Sequence, residues 1–190
     1  MFFLRFCIAI IGFVMLAPFL AYSGHLDNTV VPTANSDKGV ASPNTRFTNN
    51  GNGTITDNLT GLIWLQNANV AGARTWADAL TDVANLNRDG TMNGTSAGDK
   101  SNGGSHQTDW RLPNRNELAS LTDSSNNNPA LPSGYSSFFS GVQSDSYWSS
   151  DTLKGGIAYA WIVNMSDHGI MDTAHKTETC YVWPVRAGKE

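Results

Sequence analysis

Cysteine is close to absent from this chain of 190 residues, which has two, Cys7 and Cys180. Cys7 lies inside an apolar N-terminal run, so a chain that loses that run keeps Cys180 alone and has no internal disulfide. Export without cross-links is tolerable because the remainder is long enough to bury a core. Charge is scarce too: 15% of residues are charged and the formal net charge is −4. Losing Arg5 with the N-terminal segment takes −4 to −5, a balance that speaks against general affinity for nucleic acid. Long apolar runs are missing except for one. Met1 to Arg5 carries a positive charge, Phe6 to Leu20 is uncharged and apolar, and Ala21-Tyr22-Ser23 offers small residues to a signal peptidase. The expectation is a signal peptide over 1–23, cleaved after Ser23, and a secreted, periplasmic or cell-surface protein. The alternative is an uncleaved membrane anchor, because Phe6 to Tyr22 approaches a spanning length. No cysteine stands at the cleavage site, which speaks against a lipoprotein.

What is present begins with a polar stretch, 24–45, which carries Pro32 and Pro43 and has no hydrophobic period. It reads as a disordered linker. A single domain follows over 46–187, without internal repeats. Two helices are legible. Thr75 caps the first, with Asp78 three residues on and Trp76, Leu80, Val83 and Leu86 as its apolar stripe. Asn114 caps the second, with Glu117 reaching back and Pro113 placed to pack on Leu118. Between them Arg88 to Thr108 is a long polar stretch, either a functional surface or disordered. A second irregular stretch covers Asp123 to Ser146. Strand-like alternation returns at Tyr147 to Ser149, Ala158 to Met165 and Cys180 to Arg186. The order predicts an α+β fold: an antiparallel sheet, two helices and long irregular loops.

The stretch "FTNNGNGTITDNLTGLIWLQ" (Phe47 to Gln66) is rich in oxygen-bearing side chains and glycine. An EF-hand frame with Gly53 sixth puts Thr48 first and Leu59 twelfth, too few carboxylates to hold calcium. Nor does Gly51-Asn52-Gly53 follow a buried strand and open a helix, as a phosphate loop does. Turn chemistry remains: Asn-Gly pairs at 50–51 and 52–53, a strand at Thr54-Ile55-Thr56, a second turn through Asp57-Asn58 and Gly61, then Leu62-Ile63-Trp64.

Six motifs then come in a fixed order. "GNGTITDNLTGLIWLQ" leads to a helix beginning at Trp76. "DWRLPNRNELASL" follows from Asp109, "YWSSD" from Tyr147, "AWIVN" from Ala160 and "YVWPVR" from Tyr181. Together these resemble the bacterial Lcl C-terminal domain family over most of Arg46 to Arg186. The resemblance implies a C-type lectin-like fold, distantly similar to formylglycine-generating enzymes. It also implies export and adhesin-like recognition, which in some relatives is of sulfated polysaccharides. Two features depart from the family pattern. Asp89 to Gln107 stands where many relatives have a short turn, and Trp183 stands where arginine is common.

On this reading the chain is a non-catalytic binding module for a glycan or a protein at a cell surface, with no cofactor and no metal. Its loops and last strands supply the candidate contacts: Ser144, Asp145, Ser146, Asp151, Lys154, Asp167, His168, Asp172, His175, Lys176 and Trp183. The calcium-binding tripeptides of true C-type lectins are missing, so a glycan would be held by hydrogen bonds and stacking. Trp64, Trp110, Trp148 and Trp161 sit in apolar or alternating contexts and read as core, with Trp76 on the buried helix face. Trp183 reads as either core or an exposed platform. Arg111 reads as an ion pair or carbonyl clamp; Asn114, Glu117 and Arg186 also read as structural. Asp167, His168, Asp172, His175 and Glu178 match no metal spacing. A rival reading is an oxidase of the formylglycine-generating kind using Cys180, with His168 or His175 as base. Those relatives use a pair of cysteines. A third is a structural subunit of a surface assembly.

Overall fold

The asparagine- and glycine-rich stretch folds as an antiparallel meander, and its side chains hold its own turns. β1 (Phe47–Asn49) pairs with β2 (Thr54–Asp57), and β2 with β3 (Ile63–Leu65). Asn49 Oδ1 accepts the Gly51 N–H at 2.9 Å, Asn52 Oδ1 accepts the Thr54 hydroxyl at 2.7 Å, and Asn50 Nδ2 reaches Thr54 and Thr56. These coordinates come from a computed structural model, which describes residues 45–188. The expected signal peptide and the expected linker up to residue 44 lie outside the described residues. Among the described residues, no helix is long and apolar enough to cross a membrane.

The remaining elements are α1 (Trp76–Asp89), β4 (Thr91–Met92), β5 (Thr95–Ser96), α2 (Arg115–Ser120), β6 (Ser146–Thr152), β7 (Tyr159–Asn164), β8 (Ile170–His175) and β9 (Val185–Arg186). The fold is mixed α+β, as the order of elements predicts. Instead of one sheet there are three, ordered β1-β2-β3-β9, β4-β5 and β6-β7-β8.

Both helices start at the caps that the sequence announces. Thr75 Oγ1 accepts the Asp78 N–H, and α1 ends at Gly90, whose positive φ of 77° lets its N–H return to Leu86 O. The buried face of α1 is Ala79, Asp82, Val83 and Leu86. Leu80 is exposed instead and Trp76 half-buried. Asp82 tolerates burial because its carboxylate pairs with Arg74 at 2.7 Å and accepts the Asn93 N–H at 2.9 Å. At α2, Asn114 and Glu117 exchange reciprocal cap hydrogen bonds of 2.8 Å.

The polar segment after α1 is ordered. Asn93-Gly94 turns the β4–β5 hairpin, Met92 is fully buried, and Asp99 gathers three donors. Its carboxylate accepts the Trp110 indole N–H at 2.8 Å, the Gln107 N–H at 2.8 Å and the Ser101 N–H at 2.9 Å. Burial works to raise the Asp99 carboxyl, but those donors outweigh it and hold it below the usual carboxylate range. A depressed folded pKa means that the unfolded chain binds the proton more readily. The stabilisation is therefore present above about pH 4 and is lost as pH falls through the folded value. The melting temperature should fall steeply on acidification below about pH 4, and less steeply in Asp99→Asn.

The expected strand over Cys180 to Arg186 is mostly single bridges. Cys180 meets Arg74, Tyr181 meets Tyr147, and only Val185–Arg186 ladders with β3, since Pro184 brings no N–H. The acidic and histidine run around 167–178, where the sequence showed no strand-like alternation, contains a full strand, β8, registered to β7 over six pairs. In the core, Trp64, Trp148, Trp183 and Tyr147 are fully buried. Trp183, one reading of which was an exposed platform, packs edge-on against Trp64 (5.7 Å) and Phe139 (5.0 Å) and donates its indole N–H to Leu65 O at 2.8 Å. It offers no surface to a ligand. Trp161, expected in the core, is only half-buried, because the β7 face that carries it is covered only in part by α2.

Candidate functional site

The structure divides the candidate contacts between two ends of the β6-β7-β8 sheet. Ser144, Asp145 and Ser146 enter β6 beside the β7–β8 turn, which holds Asp167 and His168; Met165 N–H to Asp145 O at 3.0 Å joins the two. His168 takes a positive φ of 51° and sets its ring nitrogen 3.0 Å from Ser124 O. Asp172 is exposed in mid-strand on β8. Asp151, Lys154, His175 and Lys176 gather at the opposite end. Among the described residues no three His, Cys, Asp or Glu side chains come together as a metal site, and those of the acidic and histidine run are strung along β8 and its flanks.

That opposite end has the more developed geometry. A groove of about 440 Å³ lies between the start of α2 and the β6–β7 connection, lined by Asn114, Arg115, Asn116, Asp151, Thr152, Leu153, Lys154 and Trp161. Asp151 Oδ2 accepts the Arg115 N–H at 2.9 Å, which ties β6 to the helix. The Arg115 guanidinium stands 4.4 Å from the Trp161 ring centroid and braces one side of the indole. Tyr159 lies two residues from Trp161 on β7, hence on the same face, and is 42% exposed. Its ring meets His175 edge-on at 5.2 Å. Lys176 is drawn inward, with Nζ 3.9 Å from the Trp76 centroid and donating to Thr152 Oγ1 at 2.8 Å. The outcome is a row of aromatic edges beside amide, carboxylate and ammonium groups.

Sequence reasoning reached Asp151 and Lys154 but assigned no contact role to Arg115, Asn116, Tyr159 or Trp161. A signal was available in "YAWIV": Tyr159 and Trp161 share one parity and Ala160 and Ile162 the other, so the two aromatics belong to one face. An apolar groove of about 470 Å³ lies nearby between α1 and the 110–114 segment, lined by Leu80, Val83, Ala84, Trp110 and Leu112 among others.

The residues of "DWRLPNRNELASL" are engaged with one another and with the end of the domain. Arg186 Nε donates to Asp109 at 2.8 Å, and Trp110 donates to Asp99. Arg111 forms a bidentate pair with Glu117, both bonds 2.7 Å. Burial works to raise the Glu117 carboxyl, but Arg111 and the Asn114 N–H outweigh it and bring it below the usual range. The motif thus frames the groove, and three of its own residues, Asn114, Arg115 and Asn116, line it.

The family model described as the Lcl C-terminal domain matches residues 53–186, well over half of the chain. The chain belongs to that family. No curated protein matches it. In this Lcl C-terminal domain the matched span runs from the Gly53 turn to Arg186, and it takes in every element except β1. The one cysteine of the domain, Cys180, is buried, and its thiol is pushed up to about 12 by burial and by the nearby Asp145 and Glu178 charges. Such a thiol stays protonated at neutral pH.

Proposed function

We propose that this Lcl C-terminal domain, built on a C-type lectin-like scaffold, is an exported, non-catalytic binding module. It recognises a glycan or a protein at a cell surface, in the manner of an adhesin. The observation that carries this reading is the half-buried Trp161, braced by Arg115 and continued by the exposed Tyr159, at the mouth of a groove with polar walls. A flat ring takes the apolar face of a sugar or an aromatic side chain, while Asn116, Asp151 and Lys154 supply directional hydrogen bonds. Recognition without bond chemistry is favoured over a Cys180 oxidase by the protonated, buried thiol.

The test is a glycan and polyanion array probed with the protein and with Trp161→Ala, repeated in chelator and at raised salt. Trp161→Ala should weaken the strongest hit roughly ten- to thirtyfold, on the order of 1–2 kcal/mol, at an unchanged melting temperature. Chelator should leave binding intact. Equal binding by Trp161→Ala would move the site elsewhere. Turnover of a substrate that disappears in a folded Cys180→Ala protein would replace the module with the oxidase.

A further inference from the structure

β8 is the outer strand of the β6-β7-β8 sheet, and its free edge is unusually open. Six residues pair with β7 without a bulge, and Ile170–His175 contains neither proline nor lysine; the exposed Asp172 is its one acidic residue. Ile170 is 50% and Met171 45% exposed. The direction of each backbone group follows from the ladder. Lys176 N–H bonds to Ala158 O and Met165 N–H to Asp145 O, so even-numbered residues of β7 bond to β8 and odd-numbered ones to β6. Met171, Thr173 and His175 therefore turn their N–H and C=O groups outward. Two of these groups are occupied: Asp172 Oδ1 takes the Thr173 N–H at 2.7 Å, and Glu178 N–H donates to His175 O at 2.8 Å. The Met171 N–H and C=O, the Thr173 C=O and the His175 N–H have no partner among the described residues. Groups at this spacing are completed by another strand.

We propose that the strand is β8 of a second copy, paired antiparallel about a two-fold axis through Thr173. This register sets every outward residue opposite another, and its central pair forms when each Thr173 N–H exchanges Asp172 Oδ1 for the partner's Thr173 carbonyl. Met171 lies opposite the partner's His175, Thr173 opposite the partner's Thr173, and His175 opposite the partner's Met171. Shifting it one step toward the N-terminus leaves His175 out and sets Asp172 against the partner's Asp172, a like-charge pair. Shifting it the other way leaves the Met171 groups without a strand partner. With Thr173 at the centre, Asp172 faces the partner's Ala174, with the partner's Lys176 on one diagonal and the partner's Asp172 on the other. Two-fold axes of antiparallel pairs stand perpendicular to the sheet. Both Trp161–Tyr159 rows then lie on the same side of a six-stranded sheet, and a repeating ligand can engage two rows at once. Strand pairing alone buries less than a stable interface requires, so the association is weak and concentration-dependent.

Sedimentation equilibrium of the full chain, with hydrogen exchange read at the same concentrations, tests this. The Met171 and His175 amides should exchange more slowly as protein concentration rises. Thr173→Lys puts two ammonium groups face to face and should weaken association at least tenfold. Met171→Pro removes an outward donor without touching a β7–β8 bond and should do the same. Circular dichroism checks that each variant is folded; if neither is, the exchange result on the unaltered chain decides. A chain that stays monomeric at about 1 mM overturns the proposal. So does a dimer that both folded variants leave intact. Protection of the two amides that does not depend on protein concentration also overturns it, by placing another segment of the same chain on this edge. Protection that appears only with an added extended peptide assigns the edge to a different partner.

Discussion

Trp183→Ala should lose about 3–5 kcal/mol of folding stability, read as a lower denaturant midpoint at an unchanged slope. Against the usual net stability of about 5–15 kcal/mol, that is enough to leave a marginal domain substantially unfolded. Three separate losses contribute. The indole fills the space between Trp64, Phe139 and Tyr147, whose ring centroids stand 5.7, 5.0 and 5.5 Å away, and this volume cannot collapse without moving β3 and the β9 segment together. The edge-on contacts disappear with the ring, worth about 0.5–1.5 kcal/mol per aromatic pair. Leu65 O also loses its side-chain donor in a fully buried place. Trp183→Phe keeps most of the packing and gives up mainly the last of these, and should cost about 1–3 kcal/mol. An alanine variant no less stable than the phenylalanine one would show that the aromatic cluster does not organise this core.

Gly53→Ala should be the most damaging change in the asparagine-glycine turn, by about 3 kcal/mol or more, while Gly51→Ala costs only about 1 kcal/mol. Both residues hold a positive φ, 84° at Gly53 and 70° at Gly51, so the backbone strain of an added Cβ is similar. What differs is the neighbour. A Cβ on Gly53 would stand 2.1 Å from Gly98 O, a backbone atom that cannot swing away, whereas nothing lies within 4 Å of the one on Gly51. The loop after β5 is laced to this turn, with the Lys100 N–H donating to Asn52 O at 2.8 Å. Parallel denaturation curves for the two variants isolate the contact from the strain. Equal curves would mean that the 97–107 segment does not press on the turn.

How much could be read from residue order depends on how far each determinant reaches along the chain. The caps at Thr75 and Asn114, and the turns at Gly51, Gly53 and Gly61, rest on partners a few residues away, and they were legible. The exchange of roles between Trp161 and Trp183 was not. Both sit in alternating apolar runs, and which one is covered depends on α2 and on Phe139, far away in sequence. Strand β8 was hidden for a different reason. Its Asp, Thr and His suit a turn, and it is held by six pairs to β7 rather than by its own propensity. The segment after α1 reads as polar, yet Asp99 makes it part of the interior by collecting donors from Ser101, Gln107 and Trp110. Of the groove, the sequence disclosed the charged rim at Asp151 and Lys154 but not the indole at its centre.

An arginine–aspartate clamp stands at each end of the folded unit. Arg46 holds the Asp57 carboxylate at 3.1 Å and also donates to Ser120 O, while Arg186 holds Asp109 at 2.8 Å. A strand of three residues such as β1 would otherwise be the first to fray. With Arg46 bridging the meander to the end of α2, tension arriving through Thr45 is shared between two elements instead of unzipping one ladder bond by bond. Among the described residues, the first and last strands are thereby each tied by a side chain to a second part of the fold.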